Sequence, residues 1–173
     1  MSKLFIAMWT GIALTSLALS AVAAEKTDQT KATLNATQAR ADADYDASRI
    51  RCRELSGNDR DICIQTAKGD RTKAKGDAKS KYQGTGEAKL EAREDVIDAD
   101  FKVAKEKCDS LTGNAKDVCN AEAKAAHTKA EAALEADEKT MKADYKLAKA
   151  HCATLPRADR RACLKEARVK FDT

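Results

Sequence analysis

The chain has 173 residues, of which 35% are charged, 43% are hydrophobic and only 4% are aromatic, and its formal net charge is +4. It contains too few large apolar side chains for a compact globule of this length, and its richness in Ala, Lys, Glu and Asp is typical of long helices. The nearly balanced charge, without interleaved basic and aromatic residues, argues against nucleic-acid binding.

Residues 1–24 are predicted to form a secretory signal peptide that is removed. Lys3 supplies a short positive start, an apolar run extends from Leu4 to Leu19, and Ala21-Val22-Ala23 is a small-residue cleavage site. Cleavage after Ala23 and cleavage after Ala24 fit equally well. The short start and the alanine-rich site are typical of bacterial signal peptides, so we expect a periplasmic protein.

Three copies of one motif organise the rest of the chain. They read CRELSGNDRDIC from Cys52, CDSLTGNAKDVC from Cys108 and CATLPRADRRAC from Cys152. An even number of regularly spaced cysteines in an exported chain indicates a disulfide framework. We therefore predict a structural disulfide within each copy, formed by the six cysteines Cys52, Cys63, Cys108, Cys119, Cys152 and Cys163.

Small or apolar residues recur in each copy at the spacing of a buried helical seam. Counted from the first cysteine, most of them lie at positions −11, −7, −4, 0 and +3. Position −7 is always aromatic, and position +3 is always leucine. We expect the aromatic residue to pack over a helical hairpin rather than to bind a ligand. These residues are Tyr45, Phe101 and Tyr145 at −7 and Leu55, Leu111 and Leu155 at +3.

A tight turn between two helices is predicted after each leucine. Gly57 and Gly113 suit a left-handed conformation, and Asn58 and Asn114 are expected to cap the following helix. In the third copy Pro156 replaces the glycine turn, and proline is compatible with a helix start. The predicted fold is therefore all-α, an elongated, coiled-coil-like repeat of helical hairpins with three disulfide-stapled turns.

The spacing of the copies divides the mature chain into three parts. Residues 25–75 form the first hairpin, with a first helix predicted over 31–55. Residues 76–86 form a linker or a helix break, and the break is expected at Gly84-Thr85-Gly86. Residues 87–173 form the second and third hairpins. These two share one long helix over 116–154, and a last helix spans 157–169.

An alternative role for the cysteines is as metal ligands or as redox centres. Zinc sites favour closer pairs such as C-x2-C, and neither a C-x-x-C nor a C-x-x-C-H motif occurs. His151 adjoins Cys152 but has no counterpart in the other copies, and His127 lies outside the motifs. Structural disulfides are thus favoured, and no cofactor or metal is expected.

Two basic stretches and one acidic stretch are interpreted mainly as solvated faces of mixed charge. The basic stretches could also bind phosphate or anionic lipid. The acidic stretch lacks the glycine and alternating ligands of a calcium loop. The basic residues are Lys68, Arg71, Lys73, Lys75, Lys79 and Lys81, then Arg157, Arg160, Arg161, Lys165, Arg168 and Lys170. The acidic residues are Glu87, Glu91, Glu94, Asp95, Asp98 and Asp100.

The pattern of an aromatic residue, then C-x-x-L-x-G-N-x-x-D-[IV]-C, then an alanine- and lysine-rich helix resembles a group of small exported bacterial proteins often labelled TolA-like. The resemblance covers 41–67 and 98–123, whereas the third copy lacks the glycine, asparagine and aspartate. The resemblance identifies no catalytic residues in this chain.

We expect a non-enzymatic scaffold or binding protein of the cell envelope. It would present helical faces to a protein, an anionic lipid or a wall component, and it could form a homo-oligomer. Two alternatives remain open at this point: a periplasmic chaperone or stress protein, and a metal- or redox-responsive cysteine protein.

Overall fold

The computed structural model describes residues 19–171, and the side chains of residues 30–171. This part of the chain forms five α-helices and no strand: α1 (Leu19–Cys52), α2 (Gly57–Gln83), α3 (Gly86–Cys108), α4 (Gly113–Thr154) and α5 (Arg157–Phe171). The predicted all-α repeat with three disulfide-stapled turns is confirmed. The predicted signal peptide lies outside the residues whose side chains are described. None of the described helices is long and apolar enough to span a membrane.

The helices pack in chain order as a series of antiparallel neighbours. α2 contacts α1 and α3, and α3 contacts α2 and α4. The 42 residues of α4 make it about 63 Å long at 1.5 Å per residue. α3 packs against the first part of α4 and α5 against the last part, so the end of α5 meets the start of α3 near Gly86 and Met141. The first two disulfides therefore lie at one end of the array and the third at the other.

The buried core consists almost entirely of alanine and cysteine. The first cysteine of each copy is at most 1% exposed, and the alanine fifteen positions later is also buried in all three copies. Along α1 and along the end of α4, the least exposed side chains follow the predicted seam, from Leu34 to Cys52 and from Leu134 to Cys152. Small side chains give thin cores, as the composition indicates.

The leucine at +3 does not belong to this seam, contrary to the prediction. α1 ends at Cys52, and the next three N–H groups donate to carbonyls three residues back, including Leu55 to Cys52 at 3.2 Å. This tightened turn moves Leu55 off the helical face and leaves it 44% exposed. Leu111 and Leu155 make the same bond to Cys108 and Cys152 and are exposed as well.

The glycine turns have the predicted left-handed backbone, but the predicted caps are wrong. Gly57 has a φ of 53° and Gly113 a φ of 56°. The N-cap residues are Ser56 and Thr112, because the helix already begins at the glycine. Asn58 therefore lies inside the first turn of α2, where its buried side-chain nitrogen has no hydrogen-bond partner.

The predicted linker at 76–86 is shorter in the structure, because α2 remains helical to Gln83. Gly84, with a φ of 69°, ends α2 and donates its N–H to the Ser80 carbonyl at 2.8 Å. The Thr85 hydroxyl then accepts the Ala88 N–H at 3.2 Å and caps α3. The break at Gly84-Thr85 is thus the only part of the linker that leaves the helix.

Candidate binding groove and repeated helix contacts

All six predicted site cysteines are paired within their own copies. The disulfides are Cys52–Cys63, Cys108–Cys119 and Cys152–Cys163, with Cα–Cα distances of 5.5–5.6 Å. Each joins the last helical turn before a connection to the second turn of the next helix. The described chain has no free cysteine, so no thiol is available as a metal ligand in this state. The disulfides also indicate folding in an oxidising compartment.

The aromatic residue at −7 packs against the residue at +19 in every copy. The Arg71 guanidinium lies over the Tyr45 ring at 5.1 Å from its centroid. His127 and Phe101 have ring centroids 4.4 Å apart, and Phe171 and Tyr145 have centroids 6.0 Å apart. The predicted packing of the aromatic residue over the hairpin is therefore confirmed. Its partner was missed, since the chemistry at +19 changes from arginine to histidine to phenylalanine.

A carboxylate at position −10 completes this contact in the first two copies. Asp42 Oδ1 accepts a hydrogen bond from Arg71 Nε at 2.5 Å, and both Asp42 oxygens accept from Lys75 at 3.0 Å. Donation by Lys75, and then by Arg71, lowers the pKa of the Asp42 carboxyl.

In the second copy, Asp98 Oδ1 lies 3.2 Å from His127 Nε2. The third copy has Lys142 at −10, which pairs instead with Glu138 on its own helix. The carboxylate contact therefore ties the two helices of the first and second hairpins, whereas in the third hairpin Tyr145 packs against the Phe171 ring.

α2 and α3 approach closely because small residues face each other. A Cβ built on Gly76 would lie 3.1 Å from the Ala92 Cβ, and one built on Gly69 would lie 3.7 Å from the Ala99 Cβ. Gly76, Ser80, Ala88 and Ala92 are all buried. The missing side chains of Gly69 and Gly76 also lower the surface of α2, and so contribute to a groove along it.

This α2 groove has a volume of about 570 Å³ and runs between α1 and α3. Its floor includes Gln65, Gly69, Thr72 and Gly76, and Tyr45 contributes from α1. The lining contains five basic side chains and two acidic ones. The basic side chains are Lys68, Arg71, Lys75, Lys79 and Lys102, and the acidic ones are Asp95 and Asp98.

Two of the five cations in the groove carry no ion pair to the described part of the chain. Arg71 and Lys75 share Asp42, and Lys79 binds Glu91 at 2.6 Å. Lys68 and Lys102 have no such partner among residues 30–171. The groove thus offers unpaired positive charge beside a polar floor.

The predicted basic residues of α2 therefore lie on different sides of that helix. Four of its six residues line the α2 groove, whereas Lys73 and Lys81 line other hollows on the surface. The six basic side chains of the predicted α5 stretch are all exposed. The acidic residues of α3 do not converge, since Glu91 pairs with Lys79 and Asp98 with His127. Within the described residues, no three His, Cys, Asp or Glu side chains form a metal-binding group.

No protein-family model, curated protein or solved structure matches this chain.

Proposed function

We propose that this protein is a non-enzymatic helical binding protein of the bacterial cell envelope, which acts in the periplasm after removal of residues 1–24. The observation that carries the proposal is the α2 groove, with its unpaired Lys68 and Lys102. The disulfides support the compartment, because they persist in oxidising surroundings. Of the two carboxylates that line the groove, Asp98 is engaged with His127 and Asp95 has no ion pair among the described residues, so the unpaired charge of the groove is positive in excess.

The shape and charge of the groove favour an acidic polypeptide segment as the partner. Its concave floor lies along a helix and suits an extended chain better than the flat surface of a bilayer. Cations at its sides attract carboxylates, and this attraction weakens with salt when the contacts are solvent-exposed. An acidic segment of an envelope protein matches both the elongated shape and the positive charge of the groove.

Binding of a fluorescein-labelled oligoglutamate to the oxidised protein, measured by anisotropy at low and at physiological salt, tests the proposal. The double variant Lys68→Glu with Lys102→Glu should weaken binding by about tenfold or more, because each exchange replaces attraction by repulsion. Vesicles rich in phosphatidylglycerol, measured in parallel, test the lipid alternative.

The chain itself supplies a matched control. Lys124 occupies the position in the second copy that Lys68 has in the first, and Lys146 occupies the position in the third copy that Lys102 has in the second. Both are exposed. Lys124→Glu with Lys146→Glu changes the net charge equally and should alter binding by less than about twofold. Equal losses in the two double variants would show attraction by net charge rather than by the groove. Absence of oligoglutamate binding at low salt, or tighter binding to vesicles, would overturn the proposed partner.

A further inference from the structure

His127 is the only histidine of the chain that is packed between helices in the described residues. It extends from α4 toward α3, and its side chain is 16% exposed. One face of the imidazole lies against the Phe101 ring. His151, the second histidine of the sequence, is exposed beside the third disulfide.

Both ring nitrogens of His127 face carboxylates. Nε2 lies 3.2 Å from Asp98 Oδ1 on α3, and Nδ1 lies 3.2 Å from Glu131 Oε2 on α4. A neutral imidazole carries one N–H and one lone pair, so it can donate to only one of these oxygens. The imidazolium carries two N–H groups and can donate to both. The observed arrangement therefore fits the charged ring.

Two further charged groups, one acidic and one basic, lie near the ring. Asp100 of α3 lines the same small cavity as Phe101 and His127. The Lys105 ammonium lies 5.8 Å from the Phe101 ring centroid. α5 packs against the other part of α4, and none of its charged groups contacts His127 among the described residues.

The three copies have chemically different side chains at position +19, counted from the first cysteine. Arg71 is cationic at every physiological pH, Phe171 is never charged, and histidine changes its charge between about pH 5 and 8. We propose that protonation of His127 clamps α3 to α4, so that between about pH 5 and 8 the second hairpin is pH-sensitive at a position where the other two hairpins are not. The contact is stronger in mildly acidic surroundings, where both ring nitrogens can donate, and weaker at higher pH.

Urea unfolding of the full oxidised protein at pH 8.0 and pH 5.8, where carboxylates remain ionised in both cases, tests the clamp. In the unaltered protein we expect the unfolding equilibrium constant at fixed urea to be at least about threefold smaller at pH 5.8, as exposed ion pairs allow. His151→Gln should retain this difference.

The other copies supply the decisive variants. His127→Arg reproduces the first copy and should hold the hairpin equally well at both pH values. His127→Phe reproduces the third copy, keeps a ring against Phe101 and should abolish the difference. Asp98→Asn should reduce it. An unaltered protein without the pH difference, or a His127→Phe variant that retains it, would overturn the proposal.

Discussion

Two glycines seven residues apart in α2 should respond in opposite ways to the same added methyl group. Replacing glycine by alanine inside a helix stabilises it by about 0.8–1.0 kcal/mol when the methyl group has room. At Gly69 the new Cβ would lie 3.7 Å from the Ala99 Cβ, an ordinary van der Waals contact. Gly69→Ala should therefore raise the free energy of unfolding by about 1 kcal/mol.

At Gly76 the same methyl group would be crowded. Its Cβ would lie 3.1 Å from the Ala92 Cβ and 3.4 Å from the Ala92 Cα. Neither atom can rotate away, since both belong to the body of α3, so α2 and α3 must move apart. Overpacking of this kind costs about 1–3 kcal/mol, which cancels or exceeds the gain in helix propensity. Gly76→Ala should therefore change stability by between about zero and −2 kcal/mol.

Urea unfolding of the two oxidised variants, followed by helical circular dichroism, measures this difference. We expect the difference between the two urea midpoints, multiplied by the common slope, to give a difference in free energy of unfolding of at least about 1 kcal/mol. The two variants control for each other, because they make the same chemical change in one helix. If Gly76→Ala stabilised the protein as much as Gly69→Ala, the close α2–α3 packing described above would be refuted.

Three further predictions concern the turns and one ion pair. Changing Cys152 and Cys163 together to serine should lower the free energy of unfolding by about 3 kcal/mol, the loop entropy of so short a bridge, in the same urea assay. Gly57→Ala should lower the free energy of unfolding by about 1–2 kcal/mol, because a methyl group at φ 53° meets no neighbouring atom but strains the backbone. Gly57→Asn should lower it by less, since asparagine tolerates the left-handed conformation better. Equal effects of the two substitutions would refute this reasoning. Asp42→Asn should be less stable than the parent at pH 7, and the difference should shrink as the pH falls below about 4. The lowered pKa of Asp42 gives this sign, because its contribution is present above the unfolded-state pKa and is lost on protonation in the fold.

The elements that were predicted correctly depend on local periodicity. The seam from Leu34 to Cys52 and the pairing of Cys52 with Cys63 follow from spacing within one hairpin. Leu55 was misplaced because the helical spacing was continued past the residue where the helix ends. Asn58 was misplaced because the glycine turn and the start of α2 overlap, so that Ser56 rather than Asn58 precedes the helix. The long helix and the break near Gly84 were predicted from where glycine and proline occur.

The candidate sites could not be predicted in the same way. The α2 groove depends on how three helices are placed side by side, and periodicity along one helix does not contain that information. The contact of His127 with Phe101 joins residues 26 positions apart in the sequence. It could have been found by aligning the copies at +19, but Arg71, His127 and Phe171 share no chemistry that would mark the position.

Each disulfide closes a loop inside one hairpin, and none crosses the Gly84-Thr85 connection. A protease that cuts this connection would therefore divide the oxidised chain into two pieces, each with its own complete set of bridges. A cut inside any cysteine loop would leave its two sides covalently joined. The first hairpin can thus be removed or duplicated as a whole unit without leaving a cysteine unpaired, whereas the second and third hairpins share α4 and form one unit. The disulfide framework of this protein is thus modular, whereas the association of neighbouring hairpins along the array depends on noncovalent packing.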